Sequence, residues 1–451
     1  MRKWILLSIL VIICGLCFVS TSLSTNLIDS PDLTKTYHLI KMKDPASFNG
    51  ADIAWMLIAS AFVLFMTPGL GFFYGGMVRK KNMISTILQS FIALGIITIL
   101  WVMVGFSLAF GSDVGGYGII GNPFDFAFFN NVGTESAWEL APTIPVLLFA
   151  LFQMKFAIIT PALVTGAFAE RIKFWSYMLF MVIFSLFVYA PLAHMTWHPE
   201  GLLFKWGVLD FAGGTVVHMS AGWAALAGAL IMKKRSEMSH EPSRITYVIL
   251  GTSMLWFGWF GFNAGSAVSA GTLAVQAFAN TTVASAAAAI TWGFIEKIQG
   301  RKISGLGLCI GAVVGLVAIT PACGYVTIGH AILIGIIASA VSSFVVFLRG
   351  KTEIDDTLDV FPCHGVGGMV GMVLTGVFAT KSINSALVEQ GLFYGETSLF
   401  LKHIGALIGV SIFAFGLSYI ILLLVNMITP LRVSEKNEEL GLDITQHGES
   451  L

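Results

Sequence analysis

Eleven stretches of this chain are apolar over enough length to cross a lipid bilayer, which takes about 20 residues of helix. They lie roughly at 52–77, 83–110, 141–169, 174–196, 211–232, 245–265, 273–295, 303–320, 325–348, 360–379 and 403–428. Hydrocarbon offers no partner to a free amide or carbonyl, so spans of this length must be helical. The chain is therefore an all-α integral membrane protein. Its composition says the same: of 451 residues, 56% are hydrophobic and 11% charged, against about 25% charged in a soluble domain that must face water. Forty-eight glycines allow helices to pack backbone to backbone. Net charge is zero, and no basic run or aromatic–basic pattern implies nucleic acid. Cys14, Cys17, Cys309, Cys323 and Cys363 have neither the spacing of a disulfide framework nor that of a zinc site.

Residues 1–24 read as Arg2-Lys3, an apolar run from Trp4 to Val19, then small and polar residues to Ser24. This is the pattern of a secretory signal peptide; the alternative is a first, uncleaved helix. Either way, segment 25–50 is expected outside the cell. Positive charge then sets the orientation. Alternate loops carry Arg79-Lys80-Lys81, Arg171 with Lys173, Lys233-Lys234-Arg235 with Arg244, Lys297 with Arg301-Lys302, Arg349 with Lys351, and a tail with Arg432 and Lys436. The opposite loops have only Lys205, Lys381 and Lys402. The first set is cytoplasmic, which places the N-terminus outside and the tail at 429–451 inside. The transmembrane domain occupies 51–428, in the plasma (cell inner) membrane.

A weak internal repeat runs through the spans. Asp210 precedes His218 by eight positions, Asp356 precedes His364 by eight, and Gly222 and Gly368 follow four residues after each histidine. Gly71-Phe72-Phe73-Tyr74-Gly75-Gly76 in the first span pairs with Gly261-Phe262-Asn263-Ala264-Gly265 in the sixth. Two five-helix halves of odd length must be inverted relative to each other, with a final helix appended. In transporters of this plan the path lies between the halves.

His218 and His364 carry the clearest chemistry. Ionisable groups at membrane depth face a bundle interior or a pore, and two touching neutral imidazoles can pass a proton. A single such histidine would more simply be structural; the matched positions favour function. His194, His330 and His403 lack that pairing and read as structural or interfacial. Asp210 opens the fifth span as a helix cap, and a carboxylate there also favours a nearby cation. Asp356 and Asp359 fit a similar structural role on the cytoplasmic side. Aromatic residues gather toward the outer ends: Phe152 and Phe156, Trp197, Trp259 and Phe262, with Ser266 four residues on. Most tryptophans at such depths form an interfacial belt, while a few could cage a small cation at about 0.5–2 kcal/mol per ring. Lys155 and Glu170 read as snorkelling or capping groups. No phosphate loop, HExxH, nucleophile elbow or triad signature is present, and no cofactor or metal site is expected.

Seven blocks resemble the ammonium transporter family (Amt/Mep/Rh), in the family's order: TPGLGFFYGGMVRKKN (67–82), ITPALVTGAFAERIKF (159–174), DFAGGTVVHMSAGWAALAGAL (210–230), GWFGFNAGSA (258–267), TPACGYV (320–326), DVFPCHGVGGMVGMVLTGVF (359–378) and LRVSEKNEELGLDITQHGE (431–449). The resemblance is to bacterial Amt-type members. It implies an external recruitment site for ammonium at Phe156, Trp197 and Ser266, shaped by Asp210. It also implies a phenyl gate of Phe156 and Phe262, an apolar pore lined by His218 and His364, a homotrimer, and a tail that docks a cytosolic PII-type regulator. The stretch WHPEGLLFKWGVLD (197–210) departs from the pattern by one extra residue and by the charges of Glu200 and Lys205. That puts the shape of the external vestibule in doubt, not the pore.

The expected function is a non-enzymatic transporter that recruits the ammonium ion, removes its proton because an apolar pore disfavours charge, and passes ammonia inward, with proton relay along the histidines giving net charge movement. Two rivals remain: an ammonium sensor or transceptor acting through PII docking, and a membrane redox protein with the histidines as haem or metal ligands.

Overall fold

The computed structural model describes residues 40–238 and 241–451. The expected signal peptide at 1–24 and most of the outer segment at 25–50 lie outside the described residues. Eleven apolar helices follow: α1 Gly50–Met77, α2 from Met83–Leu100 through Trp101–Gly105 to Phe106–Phe110, α3 Val146–Phe168, and α4 from Phe174–Phe184 through Ser185–Tyr189 to Ala190–Trp197. Then come α5 Gly214–Met232, α6 Ile245–Gly265, α7 Thr272–Ile298, α8 Gly305–Ile319, α9 Ile328–Arg349, α10 Phe361–Phe378 and α11 Ser398–Ile428. Ten are long enough to cross a membrane unaided, and α8, at 15 residues, is the short one. Two boundaries differ from the sequence expectation. The third span starts at Val146 rather than 141 because Pro145, still extended, immediately precedes it. The last starts five residues early, at Ser398.

Local chemistry sets the helix starts. The Asn49 side chain accepts from the amides of Ala51 and Asp52 at the head of α1. Ser304 caps α8 through Gly307, and Thr327 caps α9 through His330. On the outer face a short strand, Ile40–Met42, pairs antiparallel with Ser136–Trp138.

The two inverted halves meet along two glycine seams. Between α1 and α6, a Cβ on Gly251 would lie 2.3 Å from the Phe73 amide nitrogen, and one on Gly261 would lie 2.6 Å from the Ala59 carbonyl oxygen. Between α5 and α10, a Cβ on Gly222 would lie 2.2 Å from the Gly365 Cα. Neither crossing tolerates a larger side chain without moving backbone. Both α5 and α10 open with a π-helical turn, Gly214–Met219 and Phe361–Val366, and each turn holds its histidine. Such turns re-aim side chains and recur at functional sites.

A carboxylate caps each turn in the same way. Asp210 accepts from the amides of Gly213, Gly214 and Thr215 at 2.7–2.8 Å and from the Thr215 hydroxyl at 2.5 Å. Asp356 accepts from Val360 and Phe361 at 3.0 and 2.7 Å. One cap faces outward and the other faces the cytoplasm, as an inverted repeat requires.

Candidate functional site

The α5–α10 crossing brings the two histidines into contact. The Nδ1 atoms of His218 and His364 are 3.4 Å apart, with ring centroids 5.5 Å apart and planes tilted by 22°. This is a long hydrogen bond in which one ring donates and the other accepts. Both rings are buried. His218 stacks on Trp259 at 5.3 Å, and Trp259 is fixed by its Nε1 donating to the Thr320 hydroxyl at 2.9 Å. His218 Nε2 is buried with no hydrogen-bond partner among the described residues.

The pair lies in an enclosed cavity whose remaining walls are apolar, including Met66, Leu70, Phe73, Leu163 and Val313. The space open to a water-sized centre is about 10 Å³, enough for roughly one such molecule. A haem does not fit.

Above His218, Phe156 and Phe262 pack with centroids 4.3 Å apart and close the way outward, and Phe262 lies 5.9 Å from the His218 ring. Beyond them a vestibule of about 570 Å³ opens outward, lined by Phe156, Trp197, Asp210 and Ser266 among others. Trp197 meets Phe156 edge-on at 6.0 Å, and its Nε1 donates to the Asp210 carbonyl at 3.0 Å. The Ser266 hydroxyl donates to the Phe262 carbonyl, leaving its lone pairs free to accept. The predicted residues Phe156, Trp197, Asp210, Ser266, Phe262, His218 and His364 thus form one column from the vestibule to the membrane interior.

Among the described residues, His403 and His194 have structural partners. His403 Nδ1 donates to the Met372 carbonyl at 2.7 Å while its Nε2 accepts from the Leu209 amide. His194 lies 3.3 Å from Asp113 and stacks on His198. The departure at 197–210 builds a one-turn helix, Leu202–Trp206, in the vestibule wall, and the Glu200 carboxylate accepts from the Asp113 amide.

The sequence profile of the Ammonium Transporter Family matches residues 54–451. The chain belongs to that family. An ammonium transporter of Bacillus subtilis is 45% identical over 400 residues, 88% of this chain and 97% of that protein. One from Aquifex aeolicus is also 45% identical, over 90% of this chain and 94% of that one. The crystal structure of Saccharomyces cerevisiae Mep2 superposes with a TM-score of 0.83 at 37% identity, covering 90% of this chain and 92% of that chain.

Some parts of this member's site carry no sequence signal. The apolar pore lining looks like any core stretch, and Glu389 and Lys402 reach the vestibule from a distant segment. Their position follows only from the fold.

Proposed function

We propose that this ammonium transporter strips the proton from its substrate at the mouth and conducts ammonia past the two histidines, with the proton following along the imidazole pair. The contact between His218 and His364 inside an otherwise apolar cavity is the observation that carries this reading. Trp197 and Phe156 attract the cation through their rings, and Ser266 accepts one N–H. Asp210 does not touch the ion: four hydrogen bonds to its own helix occupy its carboxylate, so it shapes the vestibule and lends it negative potential.

The apolar pore beneath disfavours any unpaired charge. Potassium matches ammonium in charge and closely in size but has no proton to give up, so it stays outside. In the histidine pair, the shared Nδ1 hydrogen fixes opposite roles for the two Nε2 atoms, one an acceptor and the other a donor. Ammonia, itself donor and acceptor, can be handed from one to the other. A proton can move the same way by exchange of tautomers, making uptake electrogenic.

The decisive measurement is current in proteoliposomes under an inward ammonium gradient, wild type beside His218→Ala. Wild type should give a saturable current, and the variant should lose it while neutral ammonia uptake persists. Full wild-type current in the variant would remove the relay; no ammonium-dependent flux in wild type would remove transport itself.

The working unit is a homotrimer with one pore per subunit. The docked tail supports a second, compatible role in docking a PII-type regulator: segment 431–433 pairs with 171–173, and Asp443 accepts from the amides of Ile84 and Ser85. Mass measurement in mild detergent checks the trimer, and pull-down with a PII protein checks the docking.

A further inference from the structure

Among the described residues, four charged ones line the vestibule: Lys205, Asp210, Glu389 and Lys402. Asp210 is buried and fully engaged by its own helix. Among the described lining residues, Glu389 is therefore the carboxylate left partly exposed, with about a quarter of its side chain open to solvent. Its Oε2 accepts from Lys402 Nζ at 2.8 Å and its Oε1 from the Ser398 hydroxyl at 2.9 Å. The Lys402 hydrogen bond holds the Glu389 carboxyl below its ordinary range, so it stays ionised at neutral pH.

Lys402 stands between the two vestibule walls: a Cβ on Gly207, just past the Leu202–Trp206 helix, would be 3.4 Å from its ammonium nitrogen. Lys205 is exposed on that helix and also lines the vestibule. Two lysines and two carboxylates balance, and the balance depends on Glu389. A rim that lost it would repel the cation it must collect.

We propose that the Glu389–Lys402 pair sets the electrostatic potential of the vestibule and thereby the affinity of this transporter for ammonium. The inference rests on the transport reading above. Neither residue belongs to the ring-and-hydroxyl site, so the pair acts on the local concentration of the ion and not on its passage.

The test is uptake kinetics in proteoliposomes at low ionic strength for wild type, Glu389→Gln, Lys402→Gln and the double variant. Glu389→Gln should raise KM roughly two- to fourfold, the order expected for one charge removed from a wet vestibule, with the limiting rate changing much less. Lys402→Gln should lower KM by a similar factor, and the double variant should return toward wild type. The shifts should shrink as salt shortens the screening length to about 8 Å and below. If both single variants raise KM and the double variant is worse, the pair is a structural clamp and the proposal fails. Equal KM values in all four proteins would also overturn it. Absence of saturable wild-type uptake would instead refute the transport reading, so the two failures are distinct.

Discussion

Asp210 shows how one side chain can shape a candidate site while its carboxylate is wholly engaged by the backbone and hydroxyl of the next turn. Its two oxygens take three amides and one hydroxyl of the turn that carries His218, while its carbonyl holds Trp197. Replacing it with alanine leaves buried N–H groups without partners, at a cost on the order of 2 kcal/mol. Asp210→Ala should lower the melting temperature in detergent and abolish uptake, whereas Asp210→Asn, which keeps an acceptor oxygen, should retain part of both. Equal melting temperatures for Ala and wild type would refute this. Asp210 and the histidines were legible in the sequence because the repeat marked them twice. Spacing offered Phe156, Trp197, Phe262 and Ser266 only as one reading beside an interfacial belt, the simpler explanation of aromatic residues near a membrane surface, and the family resemblance singled them out. Glu389 and Lys402 were not legible, because only the fold brings them into one vestibule lining with Lys205 and Asp210.

At the scale of elements, the proposed relay depends on two helices crossing closely enough for their histidines to meet. The spacing of Asp210 and Asp356 from their histidines predicted which helices correspond, but not that Gly222 and Gly365 are where they touch. A methyl group at Gly222 must displace the α10 backbone. Gly222→Ala should destabilise the protein by about 1–3 kcal/mol, the usual range for overpacking, and reduce transport by parting the rings. Gly409, whose Cβ position meets nothing within 4 Å, is the control: Gly409→Ala should leave transport unchanged and cost no stability, if anything gaining a few tenths of a kcal/mol from the better helix former. A second element depends on a distant cap. The first turn of α2 takes its amide partners from Asp443, some 360 residues on in the chain. Asp443→Ala should speed hydrogen exchange at Ile84 and Ser85 by about tenfold, the equivalent of roughly 1.4 kcal/mol, while exchange in the middle of α2 holds. Such a contact has no signature in local sequence, because the tail and α2 are related only after folding.

Across the whole molecule, the cytoplasmic face is joined by a buried charge network. Glu170 accepts from the Arg79 backbone and guanidinium and from Arg235. Arg235 continues to Asp355, and Arg171 reaches Thr357 and the Asp355 carbonyl. Next to Arg235, the Ser236 amide donates to Glu438 of the tail, which also takes the Arg432 guanidinium. Four cytoplasmic segments and the tail are thereby linked. Positive charge in those loops revealed which side they occupy, but their acidic partners were hidden among ordinary loop residues; Glu170 read only as a capping or snorkelling group.

Burial alone would raise the Glu170 carboxyl, but the Arg79 hydrogen bonds and the Arg235 charge outweigh it and hold it at about 2, against an ordinary 4.5. A folded value below the unfolded one stabilises the protein above about pH 4.5, and that contribution disappears as pH falls toward 2. The shift corresponds to on the order of 3 kcal/mol. Melting curves in detergent from pH 7 to pH 3 should therefore show a steep acid-side loss in wild type. Glu170→Gln should be less stable at pH 7, since removing one partner strands buried arginines, and its stability should fall less between pH 5 and pH 3. Parallel acid-side slopes in the two proteins would mean that other carboxylates, Asp355 first among them, carry the acid sensitivity of this face.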